Sequence, residues 1–291
     1  MNPSELHSHT ISRELEVINT NFRMFMKDFP SLYQAAEMVN GMYVDLIYDK
    51  LFSGQPSSWK TSAMLMLHGA HQSWVVSYLM TAGCHNDIGL MAARRAIEFT
   101  CYISKVHRND NRAGLWFEAQ KYLWTQNEDA LQLRKEFGCF SIPSAYFGEN
   151  YRHLRHLLVF HDFSSEFGVH ANYGTLIHKF HEDKNGTLTF TMQDIKNGIG
   201  NVRSLGIIIL LGHKILNSVV TVLKEEIKDF DNVQSNLTNL RSMIRRAKLE
   251  VGEVEFRGNI PRPILEALDS DENPDFDKRF EDLRERYPRK T

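Results

Sequence analysis

The stretch Ile88–Ser104, IGLMAARRAIEFTCYIS, decides the fold. Apolar residues occupy nearly every position, and three charges, Arg94, Arg95 and Glu98, sit in the middle. A helix that is apolar nearly all round is expected to be a central, buried element. Charges within it must pair or do chemistry, because an isolated buried charge is strongly disfavoured. Arg94 and Glu98 are four residues apart, so they share one helix face and can pair.

Helical patterning extends outward on both sides. Ile11–Phe29 is amphipathic, and Pro30-Ser31 ends it and starts a second helix over Ser31–Phe52, closed by Ser53-Gly54. Pro56 and Ser57 open a third helix to Ala82, followed by Gly83. Asn86 or Asp87 is placed to cap the Arg94/Glu98 helix. Asp110 or Asn111 opens a fifth helix to about Phe137, and Pro143-Ser144 a sixth to about Phe160. A short seventh covers Ser164–Tyr173. Alternating segments at Thr175–His181 and Thr187–Met192 flank Asn185-Gly186, which predicts one small β-hairpin within 175–192. Asp194 then caps a long helix to about Asp229, and a last one covers Val233–Glu250. Gly198, Gly200, Gly206 and Gly212 in the long helix suggest close helix–helix approach. Beyond Gly252 the chain turns charged and proline-bearing. The expected organisation is therefore a mainly α multi-helix bundle over 1–252 and a charged C-terminal extension over 253–291.

Composition narrows the function classes. The chain has 291 residues, is 42% hydrophobic and carries a formal net charge of −2, so no global basic field draws nucleic acid and any anion site must be local. Cys84, Cys101 and Cys139 form no CxxC, which fits a reducing cytoplasm and no cysteine-based zinc site. The first residues show no basic segment followed by an apolar run, so no signal peptide is expected. Leu205–Leu223 is long enough to span a bilayer, but His213, Lys214, Asn217 and Ser218 interrupt it. It reads better as a buried core helix, with no membrane partner. Motifs of the GxxxxGK[ST], GxGxxG and GxSxG types are absent, so nucleotide-dependent and serine-hydrolase chemistry have no support.

Six histidines crowd the segment 153–181. Metal binding is one reading: His153/His156 and His68/His71 are spaced three apart on helices. The paired Glu-x-x-His of di-iron bundles is absent, however, and no metal or other cofactor is expected. A second reading is acid–base chemistry on a phosphodiester. A metal-free ribonuclease needs a proton acceptor for the 2′-hydroxyl and a cation for the developing phosphorane charge. Arg155 and His161 supply both types, with His156 beside the arginine as a substrate contact. On an unbroken helix Arg155 and His161 point about 120° apart, so this reading expects a break near His161, with Asp162 behind it. A third candidate is His170 in SEFGVH, whose imidazole a buried Glu98 could orient. The plainer alternatives are a solvated helix face for Arg155/His161, a satisfied core histidine at 170, and an internal ion pair at Arg94/Glu98. Arg95 is a further substrate-binding candidate.

The order LMAARRAIEFTCYI, an aromatic-rich helix, SEFGVHAN, a hairpin and a long apolar helix resembles an uncharacterised bacterial helical family associated with abortive-infection genes. Its members show an Arg-x-x-x-Glu helix and a later Ser…His stretch, and the likeness covers about Ser62–Lys224. That family is in turn remotely similar to HEPN domains, helical bundles that are often metal-independent ribonucleases with paired Arg-x(4–6)-His motifs meeting across a dimer interface. The resemblance implies a HEPN-like defence or stress protein acting on RNA, homodimeric in the family's manner, with the motif on Arg155 and His161. His170 lacks an arginine four to six residues before it, a departure from the family pattern. The rival expectation is a non-catalytic module that binds a partner protein or a small ligand, with the C-terminal extension as its contact arm.

Overall fold

A computed structural model describes residues 11–52, 57–121, 154–164, 180–182, 188–190 and 198–251. The protein is mainly helical over these residues. In chain order they form α1 (Ile11–Asp28), α2 (Pro30–Asp45), a π turn (Leu46–Lys50), α3 (Ser58–Ala82), α4 (Asn86–Val106) and α5 (Asp110–Lys121). There follow α6 (Arg155–Ser164), β1 (Phe180–Glu182), β2 (Leu188–Phe190), α7 (Gly198–Val222), a 3-10 turn (Lys224–Glu226) and α8 (Phe230–Val251).

Helix starts follow local chemistry in part. Pro30 occupies the first turn of α2, where its missing N–H costs nothing. The start of α3 is capped from elsewhere: the Trp59 N–H donates to Asp110 Oδ1 at 2.9 Å, across 51 residues of chain. Asn109 takes over at α5, its Oδ1 accepting from the Arg112 N–H at 2.9 Å. Neither Asn86 nor Asp87 caps α4. His85 holds the cap position, without a side-chain bond to the helix.

The helices α3 and α4 form an antiparallel hairpin turned at Gly83-Cys84-His85. Cys84 sits there in the left-handed region at φ 69°. The Phe99 ring lies so close to Gly69 that a Cβ there would come within 2.8 Å of it. The expectation that α4 is buried all round needs correction. Its inner face (Ala93, Ala96, Ile97, Thr100, Cys101) is buried, but Ile88, Met91 and Arg95 are exposed on the outer face. Sequence hydrophobicity does not show which side of such a helix stays exposed.

The central rod is α7. From Leu205 to Val220 all but one of its side chains are buried, and it packs against α2, α3, α4 and α8. Ser204–Val222 is long and apolar enough to cross a membrane, yet 83% of it is buried inside the protein, as in a core helix. The Trp74 indole N–H reaches from α3 to donate to the Ile208 carbonyl at 2.9 Å. Tyr78 stacks on the same indole at 5.8 Å and Tyr43 tilts against it at 6.0 Å. This close approach depends on Gly212, where a Cβ would lie 2.5 Å from Trp74 Nε1 and 2.7 Å from Val39 Cγ1.

A strap closes the far end. Leu51 pairs with Ile227 across an antiparallel bridge, with Phe52 N–H donating to Glu226 O and Lys228 N–H to Lys50 O. Arg108 reaches over to Glu225 and, at 3.1 Å, to Glu226. The long helix thus ends at Val222, not near Asp229.

The hairpin expected over 175–192 is not seen as such. What is described is a three-residue antiparallel ladder, Phe180 opposite Phe190 and Glu182 opposite Leu188. Its Asn185-Gly186 turn, the stretch 122–153, the expected seventh helix beyond Ser164, Asp194 and the extension over 253–291 all lie outside the described residues.

Gly212→Ala tests the α3–α7 contact. Alanine gains up to about 1 kcal/mol of helix propensity, but overpacking against Trp74 and Val39 costs about 1–3 kcal/mol. A lower urea midpoint is expected; a midpoint raised or unchanged contradicts the packing.

Candidate functional site

Two helices build the site. Helix α4 runs beside α6 and presents Arg94 and Glu98 from consecutive turns of one face. The Arg94 Nε–H donates to Glu98 Oε1 at 3.0 Å. From α6 the His161 imidazole comes to the same oxygen, with Nε2 3.6 Å from Glu98 Oε1. That separation is ion-pair range rather than a close hydrogen bond. A guanidinium, a carboxylate and an imidazole therefore converge on one atom.

The surroundings set their behaviour. His161 is buried, whereas Arg94 and Glu98 keep 19% and 22% of their side-chain surface exposed. The cluster is a half-open edge, not a dry interior. Burial pushes the Glu98 carboxyl up; the His161 imidazole and the Arg94 guanidinium together outweigh this and hold it below the ordinary glutamate value. Glu98 thus stays ionised and fixes both partners.

The other sequence candidates are distributed as follows. Arg155 opens α6, and its side chain lies outside the described residues. The break expected near His161 does not occur, since α6 continues unbroken through Ser164. Arg155 and His161 therefore lie about 120° apart around one helix. His156 is buried and faces α7, its Nε2 3.5 Å from Ser218 Oγ. Arg95 is exposed on the outer face of α4, its guanidinium 5.5 Å from the Phe99 ring centre. His170 lies outside the described residues, so the imidazole described at Glu98 is that of His161.

Elsewhere, His71 Nε2 sits 2.8 Å from Asn40 Oδ1 and its ring stacks on Tyr43 at 5.0 Å. Burial, and then the neighbouring His68, lower its pKa. Among the described residues no group of three or more His, Cys, Asp or Glu is placed to hold a metal. Sequence reading passed over one polar seam. His213, Lys214 and Ser218 are all buried on α7, with Ser218 Oγ donating to the Lys214 carbonyl at 2.9 Å. The signal for it is a lysine, Lys214, inside an apolar run.

No family model, no curated protein and no solved structure matches this chain.

The lowered Glu98 pKa has a pH signature. A carboxylate whose folded pKa lies below its unfolded value adds stability above that unfolded value, here 4.5. The contribution disappears as pH falls through the folded value. Wild-type protein is expected to lose urea resistance between about pH 5 and about pH 3, and Glu98→Gln to lose less over that window. Equal losses in both contradict the assignment.

Proposed function

We propose that the chain is a HEPN-like helical protein that acts on RNA as a metal-independent endoribonuclease, with Arg94, Glu98 and His161 as its centre. The observation that carries this reading is the meeting of Arg94 and His161 on Glu98 Oε1. The two side chains are of the types that 2′-hydroxyl attack on a phosphodiester requires. In this reading the His161 imidazole accepts the 2′-hydroxyl proton as the 2′-oxygen attacks phosphorus. The P–O5′ bond breaks, a 2′,3′-cyclic phosphate remains on one fragment, and the 5′-oxygen of the other leaves as a hydroxyl with a proton taken from water. Arg94 neutralises the charge that builds on the phosphoryl oxygens, and Glu98 positions both. The exposed edge of Arg94 and Glu98 admits the phosphate, and Arg95, one residue on, contacts the strand outside.

This assignment moves the cation from Arg155 to Arg94. The unbroken α6 supports the move, because Arg155 and His161 do not share a face of it. His156, engaged with α7, is left a supporting role. Defence or stress as the setting, and the cytoplasm as the compartment, follow from the resemblance and the cysteine pattern.

A second reading is favoured by a different observation. Leu65, Val76 and Leu79 on α3 and Ile88 and Met91 on α4 are exposed. At helical spacing in an antiparallel hairpin they fall on one side, and a contiguous apolar face is the mark of an interaction surface. Here the protein is a non-catalytic module that pairs with a second copy or a partner protein through that hairpin.

The test is cleavage of a labelled RNA in excess EDTA. Wild type is expected to cut, and His161→Ala and Arg94→Ala to lose about 100- to 1,000-fold in single-turnover rate. No cleavage by wild type, or unchanged rates in both variants, contradicts the reading. In that event a Val76→Glu/Met91→Glu variant that changes the oligomeric state supports the module.

A further inference from the structure

Helix α8 carries a surface the centre above does not use. It packs inward on α2 and α7 through Val233, Leu237, Leu240, Ile244 and Ala247, all buried. Its outward side is polar, with Gln234, Ser235, Thr238, Asn239, Ser242, Arg245 and Arg246 exposed. Arg241 is half-buried beside them. Between Asp231 and Glu250 the sequence contains no carboxylate, while Arg241, Arg245, Arg246 and Lys248 stand within eight positions. A chain of net charge −2 thus concentrates cations on one helix.

From this charge pattern we propose that the outer face of α8 binds the phosphodiester backbone of a single-stranded nucleic acid. Three observations choose this occupant. After the exposed Asp231 in its first turn, the exposed positions from Gln234 to Arg246 carry cations and no carboxylate, which complements a polyanion. The exposed neutral members of the face include the amides Gln234 and Asn239, side chains of a type that contacts phosphate and sugar without reading bases. No large hydrophobic side chain is exposed on α8 among those described, so it offers nothing to insert into a lipid surface. The Thr238 and Ser242 hydroxyls donate back to the Gln234 and Thr238 carbonyls, both at 3.1 Å. Those two hydroxyl protons are thus held within the helix. The helix is about 33 Å long, enough for several successive phosphates. A helix dipole explains a cation in the last turn; it does not explain Arg241, which stands well before that turn. The surface deepens the RNA reading by giving the strand a track, and it rests on that reading only for the identity of the natural strand.

The experiment uses full-length protein and a short labelled oligodeoxynucleotide, which has no 2′-hydroxyl to attack and stays intact. Anisotropy is followed over a salt series. Wild type is expected to bind with a salt-dependent affinity. Arg245→Gln/Arg246→Gln is expected to lose affinity several-fold and to flatten the log–log salt slope by about 0.7 per arginine. Arg245→Lys/Arg246→Lys should keep the slope. Salt-independent binding, a glutamine variant that binds like wild type, or equally tight binding to phosphatidylserine vesicles overturns the proposal. Because the probe cannot be cut, lost RNA cleavage with retained α8-dependent binding ends the ribonuclease reading and leaves this surface standing. Cleavage that survives with no α8 effect does the reverse.

Discussion

Glu98 Oε1 is the atom on which the candidate site depends. A half-buried carboxylate against a helix pair is costly unless its charge is answered, and a lone neighbour on its own helix would be a modest answer. Here Arg94 answers from one turn away and His161 answers from α6. The second contact does more than neutralise. It joins two helices that are separate in sequence and fixes the rotation of a ten-residue helix too short to hold itself. His156 then settles against α7 on another side of the same helix. So α6 is clamped by two buried imidazoles, each turned to a different neighbour.

The frame behind this clamp is apolar and stiff. Helix α7 gives α2, α3, α4 and α8 a common surface, and Gly212 lets the Trp74 indole approach closely enough to bond a helix carbonyl. Such packing leaves little room for α4 to shift, which keeps Arg94 and Glu98 in register with α6. Two polar features, the half-open Glu98 edge and the outer face of α8, lie where the apolar packing stops.

Much of the helix order could be read from periodicity and from Pro30, Ser57 and Gly83, because those signals are local. Misplaced caps were non-local: Asp110 caps α3, a helix that starts 52 residues earlier, and no sequence window contains both. The all-round burial expected of α4 belongs instead to α7, already legible as a core helix, for a similar reason. Both are apolar, and only the neighbours decide which one is wrapped on all sides. The Arg94–Glu98 pair was legible because i,i+4 spacing is intrinsic to a helix. Its third member was not. His161 was singled out, but for Arg155 on its own helix, and the partner proposed for Glu98 was His170. Sequence gives the residue types of such a cluster and leaves open which helix face meets which.

The central claim is that Glu98 and His161 are energetically coupled, not merely adjacent. A double-mutant cycle on Glu98→Gln and His161→Gln, read as unfolding free energy in urea at neutral pH, measures that coupling directly. The account predicts an interaction energy of about 0.5–3 kcal/mol. Strictly additive single and double variants would contradict it.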